Sequence, residues 1–219
     1  MDSLPKRTAL VIGASGLIGS ILTRLLLDSE AYGGVTILVR RPIDLTHPKL
    51  NQEVINFDQP DAGKVKGDDV FCCLGTTIKV AGSKEAFYKV DATYPYELAR
   101  LARANGASQF LLVTSMGADP KAFIFYNRVK EEVEEKIATL NYDSYSIFRP
   151  SLLLGDRKED RPGEKMAQSF SGILSALMVG PLKKYKPVEA RKVAAAMLKV
   201  ALRRLKGQYV LESDQLQEY

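Results

Sequence analysis

A chain of 219 residues, 46% hydrophobic and 26% charged, suits one globular domain, because single hydrophobic cores stop growing at about 250–300 residues. That balance excludes a disordered chain, and the first apolar run, Ala9 to Ile12, is broken by glycine long before it reaches the length of a signal peptide or a membrane span. The net charge of +5 concentrates between Lys183 and Lys206 with no accompanying binding motif, so it is expected to be a solvated helix face and not a nucleic-acid or membrane patch.

The short polar start, Met1 to Arg7, and the use of only two cysteines point to a cytoplasmic protein. A lone histidine, His47, argues against a His-based metal site, and no metal is expected. Short β-branched runs alternate with longer helical stretches, the sign of βαβ units around a parallel sheet. The expected fold is therefore α/β: a Rossmann-type doubly wound parallel sheet with a small C-terminal helical appendage. Residues 1–219 are expected to form a single domain, with 150–219 contributing a small substrate-side lobe.

In chain order, Thr8–Ile12 reads as the first strand and Leu17–Leu27 as the first helix. Gly13-Ala14-Ser15-Gly16-Leu17-Ile18-Gly19 joins them. Strand, glycine turn and apolar helix in succession predict a phosphate-binding loop, since glycine permits positive φ and close backbone approach while the helix N-terminus offers unpaired N–H groups. Thr36–Val39 is the second strand. It ends on Arg40-Arg41, where a protein that binds NAD(H) would offer a carboxylate to the ribose. Two guanidiniums suit a 2′-phosphate, so NADP(H) is expected over NAD(H).

Glu53–Asn56 and Val70–Cys73 read as the third and fourth strands. Adjacent cysteines in a strand point to opposite faces, so Cys72 and Cys73 are expected as separate buried thiols. Lys84–Ala104 reads as a long helix opened by Ser83, and Pro95 inside it predicts a kink or two helices end to end.

Gln109–Thr114 is the fifth strand, followed by Ser115. Eleven residues beyond Ser115 comes Tyr126, and Lys130 lies four further on, within a helix over Phe123–Leu140. The run from Lys130 to Lys136 reads as its charged outer face, with Val129, Val133 and Ile137 repeating inward. Tyrosine and lysine four apart share a helix face. A phenol titrates near pH 10, too high for general catalysis, and a nearby ammonium lowers that value. So tuned, the phenol can give a proton to a carbonyl oxygen while hydride passes from a nicotinamide. Tyr145–Phe148, a helix over Val188–Leu205 and an edge strand at Tyr209–Leu211 complete the pattern.

On these residues the sequence resembles the short-chain dehydrogenase/reductase superfamily in its atypical, extended-like branch. Gly13-x-x-Gly16-x-x-Gly19, Ser115, Tyr126 and Lys130 match in order and context. Phe71-Cys72-Cys73-Leu74-Gly75-Thr76-Thr77, Val90-Asp91, Phe148-Arg149-Pro150, and the stretch from Asp156 to Glu164 look like motifs of the group containing the animal Tat-interacting-protein oxidoreductase and its compact microbial relatives.

The resemblance implies that Gly13, Ser15, Gly16, Leu17 and Ile18 wrap a pyrophosphate and that Arg40 and Arg41 hold the 2′-phosphate. It places Asp58 near the adenine, Leu74, Gly75 and Thr76 along the ribose, and the backbone after Pro150 at the carboxamide. Ser115, Tyr126 and Lys130 are then the catalytic residues, with Lys130 also at the nicotinamide ribose. Asp91 stands where many relatives have asparagine. The expected function is NADP(H)-dependent oxidoreduction of a small carbonyl or alcohol substrate. The alternative is a catalytically weak NADP(H)-binding module that regulates a protein partner. The basic, apolar C-terminal helix could make a homodimer. Ser151–Gly180, including Phe170, Ile173, Leu174, Leu177 and Met178, reads equally as a cover over the substrate pocket or as ordinary core.

Overall fold

The computed structural model describes residues 6–155 and 184–219. Among them, seven parallel strands form one sheet: β1 (Arg7–Ile12), β2 (Tyr32–Val39), β3 (Leu50–Val54), β4 (Asp69–Cys72), β5 (Gln109–Val113), β6 (Ser144–Arg149) and β9 (Gly207–Glu212). A short parallel pair, β7 (Leu153–Leu154) with β8 (Val188–Glu189), stands apart. The order β3-β2-β1-β4-β5-β6-β9 reverses direction between β1 and β4. In such a sheet the crevice beyond the carboxyl ends at that reversal is where ligands bind.

Every residue of β4 and β5 is buried, which is why these strands are written almost without polar residues. Helices α1 (Leu17–Asp28) and α6 (Ala190–Arg203) cover one face, where Leu22, Leu26, Val193 and Met197 pack with Val11, Val35 and Ile37. The helices α4 (Tyr94–Ala104) and α5 (Phe125–Ala138) cover the other with Leu98, Ala102, Val129, Val133 and Ile137. Cys72 and Cys73 fall on opposite sides of the sheet and are not joined to each other, as their alternation requires.

Several elements differ in extent from the sequence expectation: β3 is Leu50–Val54, not Glu53–Asn56, α5 ends two residues shorter on each side, and two further differences have a visible cause. β2 begins at Tyr32, ahead of Gly33 and Gly34, because the buried Tyr32 ring is anchored by a 2.7 Å hydrogen bond from its hydroxyl to Asp69. The stretch from Lys84 to Ala104 is α3 (Lys84–Tyr88), a π turn (Lys89–Thr93) and then α4. Pro95 sits in the first turn of α4, where a missing N–H costs nothing. The Tyr94 amide reaches back five residues to the Lys89 carbonyl, and this widening relieves the clash that proline would otherwise make one turn earlier. Ser83 caps α3 through the Ala86 amide, and a single-turn helix, α2 (Ile78–Ala81), precedes it, capped by Thr77.

The described part of the C-terminal stretch completes the doubly wound core: α6 lies beside α1, β9 extends the sheet beyond β6, and α7 (Ser213–Leu216) closes it. Arg191, Lys199, Arg203, Arg204 and Lys206 are exposed, so the basic excess is a solvated face there. Residues 156–183, which include Lys183, part of the expected substrate-side lobe and most of its apolar cover, lie outside the described residues.

Leu22 is fully buried between α1 and α6, whereas Arg191 points to solvent from α6. Leu22→Ala is expected to cost about 2–5 kcal/mol and Arg191→Ala less than about 0.5 kcal/mol, as read by urea denaturation.

Candidate cofactor and catalytic site

The loop from β1 into α1 turns at Gly13, whose φ of +86° lies in the left-handed region. A Cβ there would come within 2.8 Å of the Cys73 carbonyl, so the loop rests directly on the end of β4. A Cβ on Gly19 would overlap the Gly13 carbonyl oxygen, so glycine lets the first turn of α1 close onto the loop. Gly16 is the N-cap of α1 and donates its amide to the Gly13 carbonyl at 3.0 Å. No side chain caps this helix and no acid stands in its first turn, which leaves its N–H groups and positive dipole directed outward. Ser15 and Gly16 are exposed, while the Ile18 side chain is buried in the core below. The loop fits a pyrophosphate.

Arg40 and Arg41 follow β2, adjacent to β1 in the sheet, and both are exposed. Neither meets a carboxylate among the described residues. Asp58 follows β3 but is already engaged: its Oδ1 lies 2.6 Å from Lys89 Nζ and accepts from the Tyr94 hydroxyl at 2.6 Å. The Lys89 and Tyr94 hydrogen bonds lower its pKa. Phe57 stacks on the Tyr94 ring at 5.6 Å, so this corner is an aromatic and charged ledge beside the β3 end.

Leu74, Gly75 and Thr76 leave β4 next to Gly13 and run toward Lys130 of α5. The Thr76 amide donates to Asp91 Oδ2 at 2.9 Å, and Asp91 Oδ1 lies 2.6 Å from Lys130 Nζ. Asp91 is 1% exposed and Lys130 3% exposed. Burial, the largest single influence, would lower the pKa of Lys130, but the Asp91 carboxylate together with Tyr126 and Cys72 outweighs it and the pKa is raised. The Lys130 ammonium lies 5.7 Å from the centre of the Tyr126 ring, and that ring packs on Phe87 of α3 at 5.3 Å. Ser115 follows β5, where its Oγ is buried with no hydrogen-bond partner among the described residues. The loop carrying it is fastened at two points: Met116 N donates to the Pro150 carbonyl at 2.9 Å, and a Cβ on Gly117 would lie 3.0 Å from Asn127, next to Tyr126. Ser115, Pro150 and the start of α5 thus share one corner.

The charged run on α5 is not all outer face. Lys130 and Glu134 point inward, because each finds a partner there that repays its burial. Glu134 accepts from Thr114 Oγ1 at 2.5 Å and pairs with Arg149, which also reaches Glu131 at 2.8 Å and Glu212 at 3.4 Å. These bonds, that to Glu134 first, raise the pKa of Arg149. The cluster ties α5 to the ends of β5, β6 and β9 directly behind Ser115. Its members passed unnoticed in the sequence except as part of the motif Phe148-Arg149-Pro150; a glutamate four residues after an inward lysine was the available signal.

The profile of a family described as NAD(P)H-binding matches residues 13–204. The chain belongs to that family. Protein HTATIP2 of Rattus norvegicus is 40% identical over 177 residues, covering 78% of this chain and 73% of that protein. Protein FMP52, mitochondrial, of Candida albicans is 31% identical over 208 residues, covering 90% and 89%. The likeness to HTATIP2 agrees with the short-chain dehydrogenase/reductase grouping expected from the motifs.

Among solved structures, MoeE5 in complex with UDP-glucose and NAD superposes with a TM-score of 0.73 at 17% identity, covering 93% of this chain and 75% of that one. A UDP-N-acetylglucosamine 4-epimerase from Methanobrevibacter ruminantium superposes at 0.71 with 16% identity, over 95% and 77%. At such identities the likeness establishes the fold alone, a Rossmann-type unit. No helix among the described residues is long and apolar enough to cross a membrane. The fungal relatives are named mitochondrial, which differs from the cytoplasmic expectation.

Arg149→Met would leave Glu134 buried without its counter-charge. The expected cost is about 3–5 kcal/mol at pH 7. Urea denaturation at pH 7 checks this.

Proposed function

We propose that the chain is an NADP(H)-dependent oxidoreductase that acts on a small carbonyl or alcohol substrate. The observation that carries this reading is the buried Lys130 ammonium beside the Tyr126 ring, at the carboxyl end of a sheet whose first loop fits a pyrophosphate. Gly13, Ser15, Gly16, Leu17 and Ile18 would hold the pyrophosphate, and Arg40 and Arg41 the 2′-phosphate that separates NADP(H) from NAD(H). Leu74, Gly75 and Thr76 would line the ribose and Pro150 the nicotinamide side, with Asp58 on the adenine ledge. Bound there, NADPH supplies the hydride.

Everything else falls to side chains of the protein. The Ser115 hydroxyl, unpartnered among the described residues, donates a hydrogen bond to the substrate oxygen. Tyr126 gives its phenolic proton to that oxygen as negative charge develops on it, and the Lys130 ammonium stabilises the phenolate left behind. In the reverse direction the phenolate takes the proton from an alcohol. Ser115, Tyr126 and Lys130 are the catalytic residues of this scheme.

Fluorescence titration with NADPH and NADH tests the cofactor half. Arg40→Ala is expected to weaken NADPH binding roughly 10- to 100-fold, the worth of a charge-assisted hydrogen bond, with little change for NADH. Gly16→Val should abolish both. On a panel of carbonyl compounds, Tyr126→Phe should lower kcat by a factor of about 100 or more while leaving NADPH affinity intact. Tight binding without any turnover that Tyr126→Phe abolishes would replace this reading with that of a cofactor-dependent module for a protein partner.

A further inference from the structure

Asp91 is the middle residue of the π turn Lys89–Thr93, and its two oxygens serve different elements. Oδ2 accepts from the Thr76 amide at 2.9 Å, and Oδ1 meets Lys130 Nζ at 2.6 Å. Two unfavourable features coincide at this residue. A buried carboxylate loses its hydration, and a π turn has poorer backbone hydrogen bonding than the α-helix around it and recurs at functional sites. Pro95 accounts for a local widening of the helix, yet nothing in the packing of an apolar core requires a carboxylate there.

The contacts form a continuous chain. Gly13 of the phosphate loop rests on Cys73 and Leu74; the same strand end continues to Thr76; Thr76 is held by Asp91; Asp91 holds Lys130; and Lys130 faces the Tyr126 ring. The groups that face Lys130 are Asp91 from the π turn, Tyr126 from its own helix, and Cys72 from β4. Burial pushes the Cys72 thiol up to about 12, so it stays neutral at ordinary pH. Asp91 is therefore the counter-charge of the Lys130 ammonium among the described residues.

We propose that Asp91 is the positioning residue of this site: its carboxylate keeps Lys130 as an ammonium aimed at Tyr126 and fastens that ammonium to the ribose-side loop through Thr76. An asparagine at this position would still accept from Thr76, but it would leave the buried ammonium without a charge partner. In this chain the aspartate makes the charge of Lys130 independent of whether cofactor is present. Its effect on turnover rests on the oxidoreductase reading above; its hold on Lys130 does not.

The test follows the Lys130 Cε resonance of ligand-free, 13C-lysine-labelled protein through an alkaline titration, assigned with Lys130→Arg. In the unmodified protein Lys130 is expected to titrate above the surface lysines, which fall at about pH 10.4. In Asp91→Asn its midpoint should drop by roughly 1–3 pH units, the effect of removing an opposite charge at this range. The Thr76 amide resonance should keep its position in Asp91→Asn and move in Asp91→Ala.

Given turnover, the alkaline limb of kcat/KM should shift down in Asp91→Asn by the same amount as the Lys130 midpoint, a change that mere loss of stability would not produce. Lys130 titrating with or below the surface lysines in the unmodified protein overturns the proposal, and that measurement needs no variant to fold. Equal Lys130 midpoints with and without the Asp91 carboxylate overturn it as well. A shifted Lys130 in a protein that reduces no carbonyl compound would uphold the role of Asp91 and remove the oxidoreductase reading alone.

Discussion

An ammonium taken out of water costs several kcal/mol unless a carboxylate meets it, and around Lys130 that requirement organises this side of the molecule. The carboxylate comes from Asp91 on a different helical stretch, four residues before Pro95, where an uninterrupted α-helix would set the proline ring against the Asp91 carbonyl. The π turn at Lys89–Thr93 is the local solution. Because Asp91 also receives the Thr76 amide, the ion pair is fastened to the loop after β4, and that loop is itself seated against Gly13. One buried pair thus ties together the end of the sheet, the β1–α1 loop and α5.

The other half of the site depends on backbone approach. Parallel strands present their carboxyl ends on one edge, and the reversal of strand order between β1 and β4 opens a crevice there. Gly13 and Gly19 let the phosphate loop lie on the β4 end and under the first turn of α1, distances that any Cβ would prevent. An uncapped helix start then faces the crevice, while Arg40 and Arg41 stand at the neighbouring strand end with no carboxylate to neutralise them among the described residues. Negative charge is invited at two separated points.

Periodicity in the sequence was enough to show the parallel sheet, because buried strands such as Gln109–Val113 are nearly unbroken apolar runs and the helices between them carry regular apolar stripes. The glycine loop was legible for the same local reason: its meaning lies in consecutive residues. The Asp91–Lys130 pair was not, since its partners are 39 positions apart and both are charged residues in helical stretches, where solvent exposure is the ordinary reading. Glu134 was hidden in the same way, inside a run of glutamates of which only the inward members find Thr114 and Arg149. Tyr32 extends β2 past two glycines that look like a turn, because its hydroxyl reaches a buried aspartate on a strand two places away in the sheet. Propensity cannot see such long-range satisfaction of polar groups.

The two inward charges of α5 also fix where that helix can sit. Lys130 and Glu134 are one turn apart and of opposite sign, each matched to a partner of the other sign: Asp91 on one side, Arg149 on the other. Sliding α5 by one turn, about 5.4 Å, would bring Glu134 toward Asp91 and leave Lys130 without a carboxylate, so both buried pairs would be lost together. An apolar stripe of Val129, Val133 and Ile137 tolerates such a slip, because valine and isoleucine at successive turns present nearly the same surface. The hydrophobic core therefore holds α5 against the sheet, and the alternating buried charges set its register. That register carries Tyr126 to the corner shared by Ser115 and Pro150.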